Sequence, residues 1–185
     1  MKLERLAIAD VILITPAVFR DERGFFSEVW KQRTLDEAGV PLAFVQDNHA
    51  FSGPKGTMRG LHYQLAPKAQ DKLVRCTRGS ILDVAVDIRR SSPTFGQHVS
   101  AVLSAGNGQQ LLVPKGFAHG YITLEADTEV LYKVTEYYSP QHDKGIAWDD
   151  AALGIDWHLT AGEEAILSGK DRMQPKLAAA SQLFE

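Results

Sequence analysis

Short extended segments dominate this chain and constrain its fold more than any other feature. Val11–Thr15, Phe25–Trp30, Ala43–His49, Lys72–Thr77, Ile81–Ile88, His98–Leu103, Gln110–Val113, Gly120–Leu124 and Glu129–Thr135 all carry the apolar runs or alternation of β-strands. Between them lie Asp21-Glu22-Arg23-Gly24, Ser52-Gly53-Pro54, Arg78-Gly79-Ser80, Ser91-Ser92-Pro93 and Gly106-Asn107-Gly108, which supply turn chemistry. Strands this short and this regularly spaced predict an antiparallel sandwich or barrel. Lys31–Ala38, ended by Gly39, reads as a short helix. The segment after Ser139 reads as loop with short helical turns, and the tail Lys176–Leu183 as helical or frayed. The expected fold is therefore mainly β with a few short helices, in a single domain over residues 1–185 whose tail from about 175 to 185 is peripheral.

Composition narrows the partners. At 185 residues the chain is long enough to bury a full core without covalent staples. A net charge of −3 supplies no general basic field, which argues against nucleic acid. It leaves room for a small anionic ligand held by a few local Arg and Lys. Cys76 is the only cysteine, so no intrachain disulfide forms, and a reducing cytoplasm is the expected location. Met1–Asp10 lacks a signal-peptide core, and no apolar run approaches the roughly 20 residues of a membrane helix, so no membrane partner is expected.

One spacing is more specific than the strand pattern. Gly108, Pro114, Gly116 and His119 resemble the second motif of the cupin superfamily of small β-barrels, with Thr123 where the closing Asn usually stands. The Pro and Gly form a tight turn that aims His119 into the mouth of the barrel. The first cupin motif brings His-x-His and then a Glu to a metal. Here the matching stretch is His62-Tyr63-Gln64, with no carboxylate after it. Catalytic metals usually hold three protein ligands, so the pattern predicts the pocket without the metal.

A wider set of stretches resembles the dTDP-4-dehydrorhamnose 3,5-epimerase family. These are Asp21-Glu22-Arg23-Gly24-Phe25-Phe26, Phe44-Val45-Gln46-Asp47-Asn48-His49, Arg59-Gly60-Leu61-His62-Tyr63-Gln64 and Asp71-Lys72-Leu73-Val74-Arg75-Cys76. They continue with Asp83–Arg89, Ser91–Gly96, Val113–Gly120, Tyr137–Pro140 and Ser168–Asp171, in family order over nearly the whole chain. The resemblance implies a cupin-type jelly roll, a homodimer and no cofactor. It also implies a thymidine diphosphate-linked 4-keto-6-deoxyhexose as substrate.

Inverting a carbon beside a ketone means removing a C–H proton, holding the enolate, and returning a proton to the other face. By the resemblance His62 is the base; an imidazole, with a reference value of about 6.5, is largely neutral at pH 7. Asp171 is its orienting carboxylate, with Asp83 as the rival because a strand carboxylate is not buried unpaired. Lys72 is the enolate stabiliser, and His119 assists at the same oxygen or at the phosphates. Tyr132 is the proton donor, its phenol protonated at neutral pH, and Tyr138 is the alternative. Arg23, Phe26, Glu28, Gln46, Asp47, Asn48, Arg59, Asp143 and Lys170 form the nucleotide-binding set, with Phe26 placed to stack on thymine. In the family the position of Asp143 is usually Glu, so the charge is kept and the reach shortened.

Strict strand alternation puts Arg59 and His62 on opposite faces, so the assignments require a bulge at Gly60. Three other readings stay open on sequence: inversion of C3 or C5 alone, a nucleotide-sugar binder without activity, and a metal-dependent cupin oxygenase, the last disfavoured by Gln64.

Overall fold

Backbone hydrogen bonding organises the chain into thirteen strands, two short α-helices and one 3-10 turn. The computed structural model describes residues 1–185. In chain order the strands are β1 (Lys2–Arg5), β2 (Ile12–Thr15), β3 (Val18–Asp21), β4 (Gly24–Ser27), β5 (Gln46–Ser52), β6 (Met58–Gln64) and β7 (Lys72–Arg78). Then come β8 (Ser80–Asp87), β9 (His98–Ser104), β10 (Gln110–Val113), β11 (Phe117–Thr123), β12 (Thr128–Val134) and β13 (Asp143–Gly145). The helices are α1 (Gln32–Glu37) and α2 (Gly169–Arg172).

Two antiparallel sheets face one another as a cupin-type jelly roll. One has the order β1-β2-β10-β7-β12-β5, the other β13-β6-β11-β8-β9. A separate two-stranded ribbon, β3-β4, joins neither. Alternation along the strands divides the apolar residues among three layers. Val74, Cys76, Ile81, Ala85, Leu111, Phe117 and Val130 meet between the sheets. Leu82, Val84, Val86, Ala118 and Ile122 point outward beneath Leu153, Trp157 and the C-terminal segment. Leu73, Leu112, Ile12 and Ile14 face the opposite way, under Leu35 of α1.

The predicted Gln110–Val113 strand is β10 residue for residue, and most of the others shift by a few positions. Four strands go beyond the sequence reading: β1, β3, β6 and β13. The tail is not frayed. Its 3-10 turn spans Leu177–Ala179, and Phe184 bridges Arg89. The protein has no helix long and apolar enough to cross a membrane.

β6 escaped the alternation test because it is bulged. His119 pairs with His62 and Tyr121 with Arg59, so a step of two residues on β11 faces a step of three on β6. Gly60 takes up the extra residue at φ +137°, a conformation that L side chains rarely adopt. A Cβ there would lie 2.9 Å from the His119 carbonyl oxygen. The bulge returns Arg59 and His62 to the same inner face, as their assignment requires.

Candidate active site

One end of the space between the sheets is apolar, and the other is lined by polar side chains. β6 and β11 of the five-stranded sheet supply Arg59, His62 and His119. β7, β12 and β5 of the six-stranded sheet supply Lys72, Tyr132, Gln46 and Asn48. The cleft has two lobes of about 250 and 260 Å³, and His62, Lys72 and Tyr132 line both. A ligand lying there has His62 on one side and Tyr132 on the other, because the two residues come from facing sheets.

His62 Nε2 lies 2.6 Å from Asp171 Oδ1. Burial would raise the Asp171 carboxyl, but hydrogen bonds from His62 and Ser168 hold it below the usual carboxylate range. An ionised Asp171 accepts from Nε2–H, which leaves Nδ1 of His62 as the basic nitrogen. Ser168 caps α2: its hydroxyl donates to Asp171 Oδ2 at 2.7 Å and accepts the Asp171 amide at 3.1 Å. The structure therefore selects Asp171 over Asp83. Asp83 instead accepts from His119 Nε2 at 2.7 Å, and His119 is buried within the cleft, deeper than the predicted mouth position.

Lys72 makes no ion pair. Its one hydrogen bond runs from Nζ to the His62 carbonyl at 3.4 Å. Burial pushes its ammonium down to about 8, with Asp143 and then Asp83 opposing the fall. It is thus a cation with unfilled donor capacity on the cavity floor. Burial raises the Tyr132 phenol, with Arg59 opposing, so it holds its proton at neutral pH.

The second lobe is framed by Gln46, Asn48, Tyr138, Asp143 and Lys170. The shorter side chain of Asp143 reaches its neighbours: Tyr138 donates to its Oδ2 at 2.9 Å, and Lys170 pairs with the same oxygen. Donation to Asp143 leads the causes that raise the Tyr138 phenol. Gln64, the residue in place of a metal-ligand histidine, turns its amide to backbone. It donates to the Lys68 and Tyr137 carbonyls and accepts the Ser139 amide. It therefore completes no ligand set with His62 and His119.

Four of the sequence-assigned residues stand apart from this cleft. Arg23 and Phe26 lie on the β3-β4 ribbon and its turn, with Phe26 65% exposed. Arg23 pairs with Asp21, and Glu28, just past the ribbon, with Lys31. Asp47 alternates to the outer face of β5, where Lys133 holds it at 2.8 Å; its neighbours Gln46 and Asn48 point inward. Strand parity sets Asp47 apart from Gln46 and Asn48. Ser168 was missed as well, although Ser168-x-x-Asp171 has the spacing of a helix-capping pair. Tyr121, also buried in the cleft wall, carried no sequence signal.

The family model described as dTDP-4-dehydrorhamnose 3,5-epimerase matches residues 5–179. A protein of that description from Sinorhizobium fredii is 51% identical over 185 residues, covering 100% of this chain and 94% of the relative. The crystal structure of such an epimerase from Bacillus anthracis, with TDP and PPi bound, superposes with a TM-score of 0.91 at 50% identity, covering 95% of this chain and 98% of that one. A Legionella pneumophila dTDP-6-deoxy-D-glucose-3,5-epimerase in complex with dTDP-4-keto-L-rhamnose gives 0.91 at 44% identity, covering 96% and 93%.

Proposed function

The chain belongs to the dTDP-4-dehydrorhamnose 3,5-epimerase family, and from that premise we propose that it inverts C3 and C5 of dTDP-4-dehydro-6-deoxy-D-glucose, giving dTDP-4-dehydro-L-rhamnose. The observation that carries this reading is the placement of a carboxylate-held histidine and a protonated tyrosine on facing sheets, with an unpaired lysine between them. In the chair form of the substrate the C3 and C5 hydrogens are both axial and project from the same ring face. One base therefore serves both carbons, and one acid on the other face completes both inversions. His62 Nδ1 takes the proton and the Asp171 carboxylate stabilises the imidazolium. Lys72 donates to the C4 oxygen as it becomes anionic, and Tyr132 returns a proton from the far side. The reaction is redox-neutral proton transfer and requires no cofactor.

Gln46, Asn48, Tyr138 and Lys170 line the lobe assigned to the nucleoside diphosphate. The test is proton NMR of the keto sugar incubated with the protein. Inversion at both carbons is expected. A product inverted only at C3 or only at C5 would make the chain a mono-epimerase, and binding without turnover would make it a nucleotide-sugar receptor.

The working unit in this reading is a cytoplasmic homodimer. Three large rings on the ribbon, Phe19, Phe25 and Phe26, are 60%, 68% and 65% exposed, an apolar patch suited to cover by a second copy. In that arrangement the ribbon brings Arg23, Phe26 and Glu28 to the partner's cleft. Mixing an Arg23→Ala protein with a His62→Ala protein, after subunit exchange, is expected to restore part of the activity that each lacks. Activity no higher than the sum of the two separate variants would place Arg23 in the cleft of its own chain.

A further inference from the structure

Asp83 lies at the centre of β8, fully buried, and is not the partner of His62. One carboxylate oxygen meets His119 Nε2, while Oδ2 is sealed from solvent and has no hydrogen-bond partner. A buried carboxylate half without a partner is costly to fold around, so the position calls for a compensating role. We propose that Asp83 is a positioning residue of the epimerase reaction: it fixes His119 through one oxygen, and with the other it keeps the Lys72 ammonium charged beneath the C4 oxygen. The proposal rests on the epimerase reading and assigns to this reaction a residue that touches no substrate.

The surroundings of Lys72 single out Asp83 for this task. Lys72 points inward from the six-stranded sheet, and Asp83 points inward from the facing sheet. Three carboxylates besides Asp83 lie in this region. Asp171 is engaged by His62 and Ser168. Asp143 is engaged by Tyr138 and Lys170, and the Lys170 charge itself opposes protonation of Lys72. Asp71, next in sequence to Lys72, turns to Thr135 and the Lys115 amide. The remaining ionisable side chains lining the cleft, Arg59, His62, Tyr63, His119, Tyr121 and Tyr132, include no carboxylate. Among these carboxylates, only Asp83 has an oxygen that is both sealed from solvent and without a partner. Its field and that of Asp143 both oppose the desolvation of Lys72.

Removing that charge leaves Asp143 alone to oppose the desolvation of Lys72. The wild-type protein is expected to lose activity as pH rises through about 8, where Lys72 gives up its proton. In Asp83→Asn, which is nearly isosteric and still accepts from His119, the alkaline limb is expected to move down by about one unit or more. At pH 8 a drop of one unit corresponds to roughly a fivefold loss of kcat/KM, which largely recovers at pH 6.5.

The measurement is kcat/KM against pH, paired with NMR titration of lysine-labelled protein without substrate, using Lys72→Met to assign the signal. A fall in both the kinetic limb and the Lys72 titration supports the proposal. A uniform loss with both midpoints unchanged overturns it. Should Asp83→Asn fail to fold, His119→Gln serves as the second variant. It leaves the carboxylate in place, so Lys72 is expected to titrate no lower than in wild type, and a drop of a unit would overturn the proposal. Absence of turnover in the wild type at every pH would sink the epimerase reading instead, while the substrate-free titration still reports on Asp83.

Discussion

His62→Ala is expected to stop both inversion and solvent exchange of the substrate, by up to about 10⁴-fold, the upper range for a positioned general base. Nothing else in the cleft replaces it. The second imidazole, His119, belongs to the same sheet and is tied to Asp83, while Lys72 is cationic at neutral pH and Tyr132 is protonated. Substrate affinity should change little, because Lys170 and the amides of Gln46 and Asn48 remain. Following deuterium uptake at C3 and C5 in heavy water checks the assignment. Free exchange by His62→Ala would mean that the base is another group and that the mechanism fails at its first step.

Lys72→Ala is expected to lower kcat by roughly 10²–10³-fold, equivalent to about 2.7–4 kcal/mol, with KM nearly unchanged. The reasoning is differential. The ketone oxygen carries little charge in the ground state and a full charge in the enolate, so a cation beneath it acts mainly on the transition state. Geometry supports this role over phosphate binding, since the Nζ of Lys72 reaches only the His62 carbonyl at the cavity floor and its charge is unpaired. The same lysine sets the sign of the pH dependence: the ammonium is present below about 8 and lost above it, so the rate falls on the alkaline side. Steady-state kinetics decides. A raised KM with kcat intact would move Lys72 to the diphosphate-binding group.

Much of the architecture was legible because burial on one or both faces leaves a periodic trace. Ile81–Ile88 and Gln110–Val113 show it plainly and fall almost where predicted. β6 left no such trace, since Gly60 shifts the register in its middle, although the clash between Arg59 and His62 did point to that glycine. Strands β1 and β3 are exposed along most of their length and β13 spans three residues, so none leaves an apolar trace. In the site, residue types were readable but pairings were not. His62 meets a carboxylate 109 residues away, and only the fold decides between Asp171 and Asp83. Asp47 and the ribbon residues show the opposite limit, where a recognisable stretch does not say which way each side chain points.

The account turns on two different groups acting on the two faces of the sugar, and Tyr132→Phe tests that most directly. The substitution removes the phenol and leaves His62, Asp171 and Lys72 in place. Proton NMR in heavy water would follow deuterium content and configuration at C3 and C5 separately. The predicted result is continued exchange of deuterium into carbons beside the ketone with little inverted product, because His62 still forms the enolate and can only return a proton to the face it came from. Inversion of both carbons at near wild-type rate would contradict the account and pass the role of acid to another group, with Tyr138 the first to examine.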